Sequence, residues 1–172
     1  MRRPTAGIRA PSPKPLVLSP SGDPMSTQTN LEDLYETLDM FADPGSRADL
    51  LIGFADKFSE VPPEVATRPF PKSHQVPQCE SEVYVWSRVQ PDGTLRLDFA
   101  VENPSGISAR ALAVILGKVY NGQPAEDVLT LDTGMVERVF RQNISMGKGM
   151  GLTSMILAVQ ALTRDALKRQ QA

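Results

Sequence analysis

Cys79 is the only cysteine of the 172-residue chain, and its neighbours on both sides are mostly polar. It follows a proline-rich stretch, residues 61–77, and precedes a run of alternating residues that is typical of a β-strand. A cysteine at such a junction is expected to be at least partly accessible, although free cysteines are often buried and inert. A lone thiol supports few reactions, and the other residues of the sequence make some of these reactions improbable.

Most cysteine chemistry requires further groups that this chain does not supply. A cysteine-dependent hydrolase needs a histidine base beside the thiol. The only histidine, His74, lies roughly 17 Å from Cys79 if the chain is extended at about 3.3 Å per residue. Only a sharp chain reversal would form a dyad. The carboxylates show no zinc-ligand spacing around these two residues, and an iron–sulfur scaffold needs several cysteine ligands.

Transfer of sulfur between persulfides needs much less from the protein. The nucleophile is a thiolate, and the leaving group is the thiolate of the donor protein. If the backbone is extended at Cys79, alternation directs Glu80 and Glu82 away from the face shared by Cys79 and Ser81. A sulfur acceptor is therefore favoured over a hydrolase. A regulatory binding module that carries no sulfur remains an alternative.

The second candidate site is the glycine-rich stretch of residues 145–151, which contains Lys148. Amide groups at a helix start bind anions, and Lys148 adds a positive charge. The stretch lacks the glycine and lysine order of a Walker loop, and it follows no clear strand. It is predicted to be a flexible connection rather than a nucleotide site.

Composition excludes two broad classes of function. The net charge is −2, acidic and basic residues are mixed, and no nucleic-acid-binding motif appears, so a nucleic-acid partner is not expected. No apolar run is long enough to cross a bilayer, so no membrane role is expected. A single cysteine forms no internal disulfide, which favours a reducing, cytoplasmic location.

The chain is predicted to hold one folded domain, residues 29–172. Residues 1–28 are rich in proline and show no amphipathic period, which predicts a disordered extension. Translation starting at Met25 would remove most of that extension. The sequence of the folded part predicts helices, then a small antiparallel sheet, then helices again, and this order is typical of the α+β class.

Individual elements follow from periodicity and capping signals. A helix from Leu31 and a second one capped by Ser46, with Asp49 completing a capping box, open the domain. Residues 61–77 read as an extended loop. Strands are predicted around residues 83–86 and 95–101, and helices over residues 107–120, 133–141 and about 152–169.

Three segments resemble the SufE-type activators of cysteine desulfurases. Residues 76–83, Val-Pro-Gln-Cys-Glu-Ser-Glu-Val, resemble the family pattern of Val or Ile, any residue, Gly, Cys, any, Ser, any, Val. Residues 120–128 resemble the segment after the family's core helix, and residues 151–156 the start of its last helix. The order and spacing of the three are similar to the family from about Leu31 to Leu162.

The resemblance implies a small curved antiparallel sheet of about three strands packed by helices, as in the scaffold protein of the related assembly pathway. It implies that Cys79 takes persulfide sulfur from a SufS-type cysteine desulfurase, stimulates its turnover and delivers sulfur to an iron–sulfur scaffold complex. Pyridoxal phosphate would belong to the desulfurase, so no cofactor is expected here, and the protein is no enzyme in the strict sense.

The resemblance also marks departures and further site residues. Gln78 stands where the family usually has glycine, and Lys148 where it usually has arginine. Gln78, Ser81 and Lys148 are therefore candidate contacts for the loop or for the partner. The family shelters its cysteine until docking, which implies that the Cys79 loop moves when the partner binds.

Overall fold

The computed structural model describes residues 25–172, so most of the predicted extension lies outside the described residues. The domain begins slightly before the predicted boundary at residue 29. Ser26 caps the first helix, α1 (Thr27–Met40), and its side chain accepts a hydrogen bond from the Thr29 amide. Thr27 is buried and donates to Asp127 at 2.7 Å. Residues 26–28 therefore belong to the folded domain.

The second helix, α2 (Pro44–Ala55), is capped by Asp43 rather than by Ser46 as predicted. The Asp43 carboxylate accepts a hydrogen bond from the Ser46 amide at 2.9 Å. Pro44 occupies the first helical position, where its missing N–H costs nothing. The hydrogen bonds from Ser46 also hold the pKa of Asp43 below its ordinary value. Both residue types cap helices well, and the position of Pro44 decides between them.

The sheet has two antiparallel strands, β1 (Val83–Val89) and β2 (Leu95–Val101), with Val83 opposite Val101. The predicted hairpin is confirmed, but the expected third strand is absent from residues 25–172. Its nearest equivalent is the segment before Cys79, which makes only an isolated bridge between Gln75 and Tyr84. Prolines in that segment lack the amide donors that a continuous ladder requires.

Helices cover one face of this hairpin. The helix α3 (Ile107–Tyr120) packs against α2 and β2, and it has the predicted bounds. A 3₁₀ segment (Ala125–Thr130) and the short helix α4 (Met135–Phe140) follow. The long helix α5 (Met146–Gln171) then crosses β1. The α+β class is confirmed, and no helix among residues 25–172 combines the length and apolarity that a bilayer span requires.

The start of α5 corrects the prediction of a flexible glycine-rich loop. Ser145 caps the helix by accepting a hydrogen bond from the Lys148 amide at 3.3 Å, so residues 146–151 form its first turns. Glycine lowers helix stability but does not forbid a helix that is capped and packed against the domain. The glycine content of this stretch did not distinguish a loop from a helix start, because glycines occur in both.

The other face of the hairpin is covered by the proline-rich segment, residues 61–77. Val61, Trp86 and Ala100 form a small cluster there with Phe70 and Tyr84. The His74 ring stacks on Trp86 with 5.2 Å between ring centroids. The segment is therefore packed on the sheet rather than merely crossing the surface.

Arg47 on α2 is 1% exposed and joins the C-terminal ends of two helices. Its guanidinium donates to the carbonyls of Leu38 and Phe41 near the end of α1 and to those of Arg138 and Val139 in α4. Helix C-termini carry partial negative charge, so they stabilise a buried cation without a carboxylate. This set of contacts, Arg47 and its four carbonyls, is called the Arg47 junction below.

Candidate functional site

Cys79 lies in a tight turn formed by residues 78–82, called the Cys79 turn below. Gln78 and Glu82, at its two ends, have left-handed backbone conformations with φ of 55° and 49°. The Glu82 amide donates to the Cys79 carbonyl at 3.1 Å and closes the turn. The extended backbone considered from the sequence is therefore wrong, and the alternation argument for Glu80 and Glu82 does not apply.

The left-handed conformation of Gln78 gives a physical reason for the family's glycine at this position. Residues with a Cβ pay an energetic penalty in this region, whereas glycine does not. Here glutamine adopts it because the surrounding contacts fix the turn. The backbone geometry thus fits the family pattern even though the side chain departs from it.

Cys79 is half-buried and lies against the first turns of α5. A Cβ built on Gly151 would lie 3.5 Å from both Sγ and Cα of Cys79, so the α5 backbone passes directly beside the cysteine. Any side chain larger than a methyl group at position 151 would need space that the cysteine occupies. Gly151 therefore permits the close packing of helix and turn.

A narrow cleft of about 100 Å³ opens beside the cysteine, between the starts of α3 and α5. Its cation is Lys148 on α5, and the rest of its polar lining comes from Glu80, Ser81, Asn103, Ser105 and Ser108. Cys79 thus shares one cleft with two of the three predicted contact residues, Ser81 and Lys148. Hydroxyl and amide groups form most of this polar lining, with the Lys148 ammonium and the Glu80 carboxylate as its two charges, so the cleft suits a small polar group.

The opposite side of Cys79 faces a wide surface depression of about 490 Å³. Gln78, the third predicted contact residue, lies here together with Lys72 and Glu80. The structure therefore divides the predicted residues between the two sides of the turn. The open side gives a second protein a route toward the sulfur.

A second turn, residues 103–106, supports the Cys79 turn. The Asn103 amide donates to the Ser81 carbonyl at 3.2 Å, and its side chain approaches the Glu80 carbonyl at 3.5 Å. Gly106 is buried so tightly that a Cβ there would lie 2.6 Å from Val101 and 3.3 Å from the Ser81 Cβ. Asn103 and Gly106 therefore fix the height of the turn above α3.

Arg110 stabilises the turn of residues 103–106. Its guanidinium donates to the carbonyls of Pro104 at 2.9 Å and Asn103 at 3.3 Å. The Asn-Pro-Ser-Gly composition of residues 103–106 is typical of a turn, but nothing in it indicates which distant segment that turn supports.

His74 does not form a dyad with Cys79. Its Nδ1 lies 2.7 Å from the Val85 carbonyl oxygen, and its ring is stacked on Trp86. It is also not among the described residues that line the two cavities at the cysteine. Within residues 25–172, no group of three or more potential ligands is placed to hold a metal ion. Among residues 25–172, the geometry thus places neither a histidine base nor a set of metal ligands beside the thiol.

Comparison with known proteins decides the family. Residues 32–163 match the family described as SufE, Fe–S metabolism associated domain. The chain belongs to the SufE family. The match covers most of the described chain, and it assigns this SufE domain a role in iron–sulfur metabolism. No curated protein matches the chain.

A solved structure agrees on the fold. The solution structure of a hypothetical protein from Thermus thermophilus superposes on this SufE domain with a TM-score of 0.64 and 24% sequence identity. The alignment covers 81% of this chain and 96% of that one. This likeness supports the α+β architecture and carries no information on partners.

Proposed function

We propose that Cys79 accepts sulfur from a cysteine desulfurase as a persulfide and delivers it for iron–sulfur cluster assembly. The observation that carries the proposal is a half-buried thiol in a turn that is open to a partner on one side and has a polar cleft on the other. Membership of the SufE family supplies the metabolic context.

The transfer step balances without any added oxidant. The Cys79 thiolate attacks the outer sulfur of a persulfide on the desulfurase, and a new S–S bond forms at Sγ. The S–S bond within the donor breaks, and the donor cysteine leaves as a thiolate that needs no proton. The desulfurase, which carries the pyridoxal phosphate, is then free for another turnover. This protein holds no cofactor of its own in the proposal.

The cleft between α3 and α5 suits the product of that step. Its volume of about 100 Å³ exceeds the share of one water molecule in the liquid, about 30 Å³. One added sulfur atom fits there, and Ser81, Ser108 and Lys148 line the space it would occupy. A cationic group and hydroxyl groups stabilise an anionic persulfide and limit its exposure to other thiols.

Delivery repeats the same exchange with the roles reversed. A thiolate of the scaffold complex attacks the outer sulfur, and Cys79 leaves as a thiolate. In this proposal the protein is a sulfur-transfer protein rather than an enzyme in the strict sense. A single unprotected thiol with this task suits a reducing compartment such as the cytoplasm.

The decisive experiment supplies the protein with the cysteine desulfurase of the same genome and with free cysteine. Mass spectrometry should find an added mass of about 32 Da on the peptide that contains Cys79, as one transferred sulfur requires. Cys79→Ser should gain no mass and should lower desulfurase turnover to that of the enzyme alone. Ser59→Ala, at an exposed serine outside both cavities at the cysteine, serves as the control that keeps the thiol.

The same two measurements distinguish a sulfur carrier from an allosteric regulator. If Cys79→Ser still stimulates the desulfurase fully, the protein is an allosteric regulator that carries no sulfur. If the wild-type peptide gains no sulfur under turnover, sulfur carriage is refuted.

A further inference from the structure

The first two turns of α5 expose two large apolar side chains beside the Cys79 turn. Met146 is 86% exposed and Met150 is 59% exposed. They are four residues apart and therefore lie on the same face of the helix. Exposed apolar side chains that adjoin one another mark interaction surfaces more often than isolated ones do. Methionine is also well suited to contact an irregular partner surface.

The two methionines form one wall of a surface groove of about 730 Å³. Ile144 and Val136 add apolar surface, and Glu137 and Arg141 lie among its charged lining residues. An apolar centre with charged residues around it is the usual composition of a protein–protein contact. At one end the groove reaches Gln78, the residue before Cys79. This surface is called the methionine groove below.

The position of the methionine groove restricts what can occupy it. A protein that donates sulfur must bring its own sulfur within bonding distance of Cys79, and so it must cover the surface around the turn. A stable contact buries about 800 Å² on each partner. The five residues of the Cys79 turn present only part of such an area, so the donor must also cover a neighbouring surface.

Of the neighbouring surfaces, the methionine groove is the apolar one. The depression on the other side is lined by Lys72, Gln75 and Glu80, whose polar groups would have to be desolvated by a partner. Burial of Met146 and Met150 carries no such cost and removes apolar area from water. The groove is therefore the favourable extension of a contact that begins at the cysteine.

We propose that the methionine groove is the docking surface for the protein that donates sulfur, and that an apolar segment of that donor packs against Met146 and Met150. The inference rests on the proposed function, and it identifies the surface with which this protein binds its sulfur donor. A small persulfide molecule that reaches Cys79 from the open side does not need the groove. Substitutions that remove the apolar surface of the groove should therefore affect sulfur transfer from a protein donor but not from a small-molecule donor.

The test is the double substitution Met146→Gln with Met150→Gln, which keeps side-chain length and helix propensity but removes apolar surface. The matched control is Met40→Gln, since Met40 is 75% exposed at the end of α1 and lies outside the groove. Desulfurase turnover is measured against the concentration of each variant. The concentration for half-maximal stimulation should rise about tenfold or more for the double variant, as loss of apolar anchors does elsewhere, and should not change for Met40→Gln.

Two further measurements isolate docking from chemistry. The rate at which iodoacetamide alkylates Cys79 should be the same in the double variant and the wild type, because the thiol is untouched. Binding of desulfurase to variants that also carry Cys79→Ser should weaken by the same factor, because no sulfur moves in that background.

Each failure has a distinct signature. If the wild type gains sulfur from the desulfurase while the double variant has an unchanged half-maximal concentration, the docking surface is refuted and the proposed function stands. If the wild type gains no sulfur at all, both are refuted. If the wild type is a dimer by size-exclusion chromatography and the double variant is a monomer, the groove joins copies of this chain, and the proposal is overturned.

Discussion

The Arg47 junction and the Cys79 turn hold a polar residue in opposite ways. Arg47 is almost fully buried, and its guanidinium donates to four backbone carbonyls from two helices. Cys79 is half-buried in a turn with left-handed residues at both ends, and the supporting contact from the Asn103 side chain is long, at 3.5 Å. The Arg47 side chain is held by hydrogen bonds in the interior, whereas the Cys79 turn is held mainly by backbone hydrogen bonds nearer the surface.

The difference indicates that the most densely bonded part of this SufE domain lies away from Cys79. Regions with few buried contacts and strained backbone open at low energetic cost, whereas a densely bonded junction opens only with the whole domain. We therefore expect the Cys79 turn to open more readily than the Arg47 junction. The following substitutions test this separation.

The largest effect is expected from Arg47→Met. The substitution removes the guanidinium donor from four carbonyls, two of them at fully buried contacts, and the free energy of unfolding should fall by about 3 kcal/mol. Chemical denaturation measures the loss. Arg110→Met is the matched comparison, because Arg110 donates to two carbonyls beside the Cys79 turn but is only half-buried. It should cost less than about 1 kcal/mol. Equal losses at both sites would contradict the separation.

An intermediate effect is expected from Gly106→Ala. The added methyl group would lie 2.6 Å from Val101 and 3.3 Å from Ser81, so the Val101 side chain must move and the Cys79 turn is pushed slightly outward. The free energy of unfolding should fall by about 1–3 kcal/mol, and alkylation of Cys79 should accelerate. Gly53→Ala is the control, since a Cβ there meets nothing within 4 Å, and it should stabilise α2 by about 0.5–1 kcal/mol. An unchanged alkylation rate in Gly106→Ala would show that position 106 does not set the height of the turn.

The smallest effect is expected from Gln78→Gly. Glycine relieves the left-handed strain at φ 55° but loses more entropy on folding, so stability should rise by no more than about 1 kcal/mol. Gln75→Gly, where the backbone has an ordinary φ of −74°, should instead lose about 0.5–1 kcal/mol. Thermal unfolding of the two variants gives the comparison. A loss at position 78 as large as that at position 75 would exclude strain in the turn.

The sequence predicted the regular elements well because their signals are local. The alternation in β1 and β2 and the apolar face of α3 gave their positions, and the structure confirms the hairpin and the bounds of α3. The errors concern residues with two local solutions. Asp43 and Ser46 both cap helices, and glycines at residues 147–151 fit a loop as well as a helix. Capping contacts that depend on the fold decide both cases.

The candidate site was only partly predictable for the same reason. Cys79 was evident from its type, and Ser81 and Lys148 do line its cleft. Gly151 and Gly106 matter because distant segments pass close to them, and no single sequence shows such an approach. The left-handed conformation of Gln78 was also hidden, because glutamine carries no signal for it. Tertiary contacts, rather than local propensity, place these residues.

The stacking of His74 on Trp86 has a practical consequence. Trp86 is the only tryptophan of the chain, so all indole emission comes from one ring. That ring touches the segment that leads into Cys79, and imidazole contact quenches indole light. A shift of this segment when a partner arrives would therefore change the brightness of the native, unlabelled protein. The molecule carries its own optical probe of events next to its sulfur.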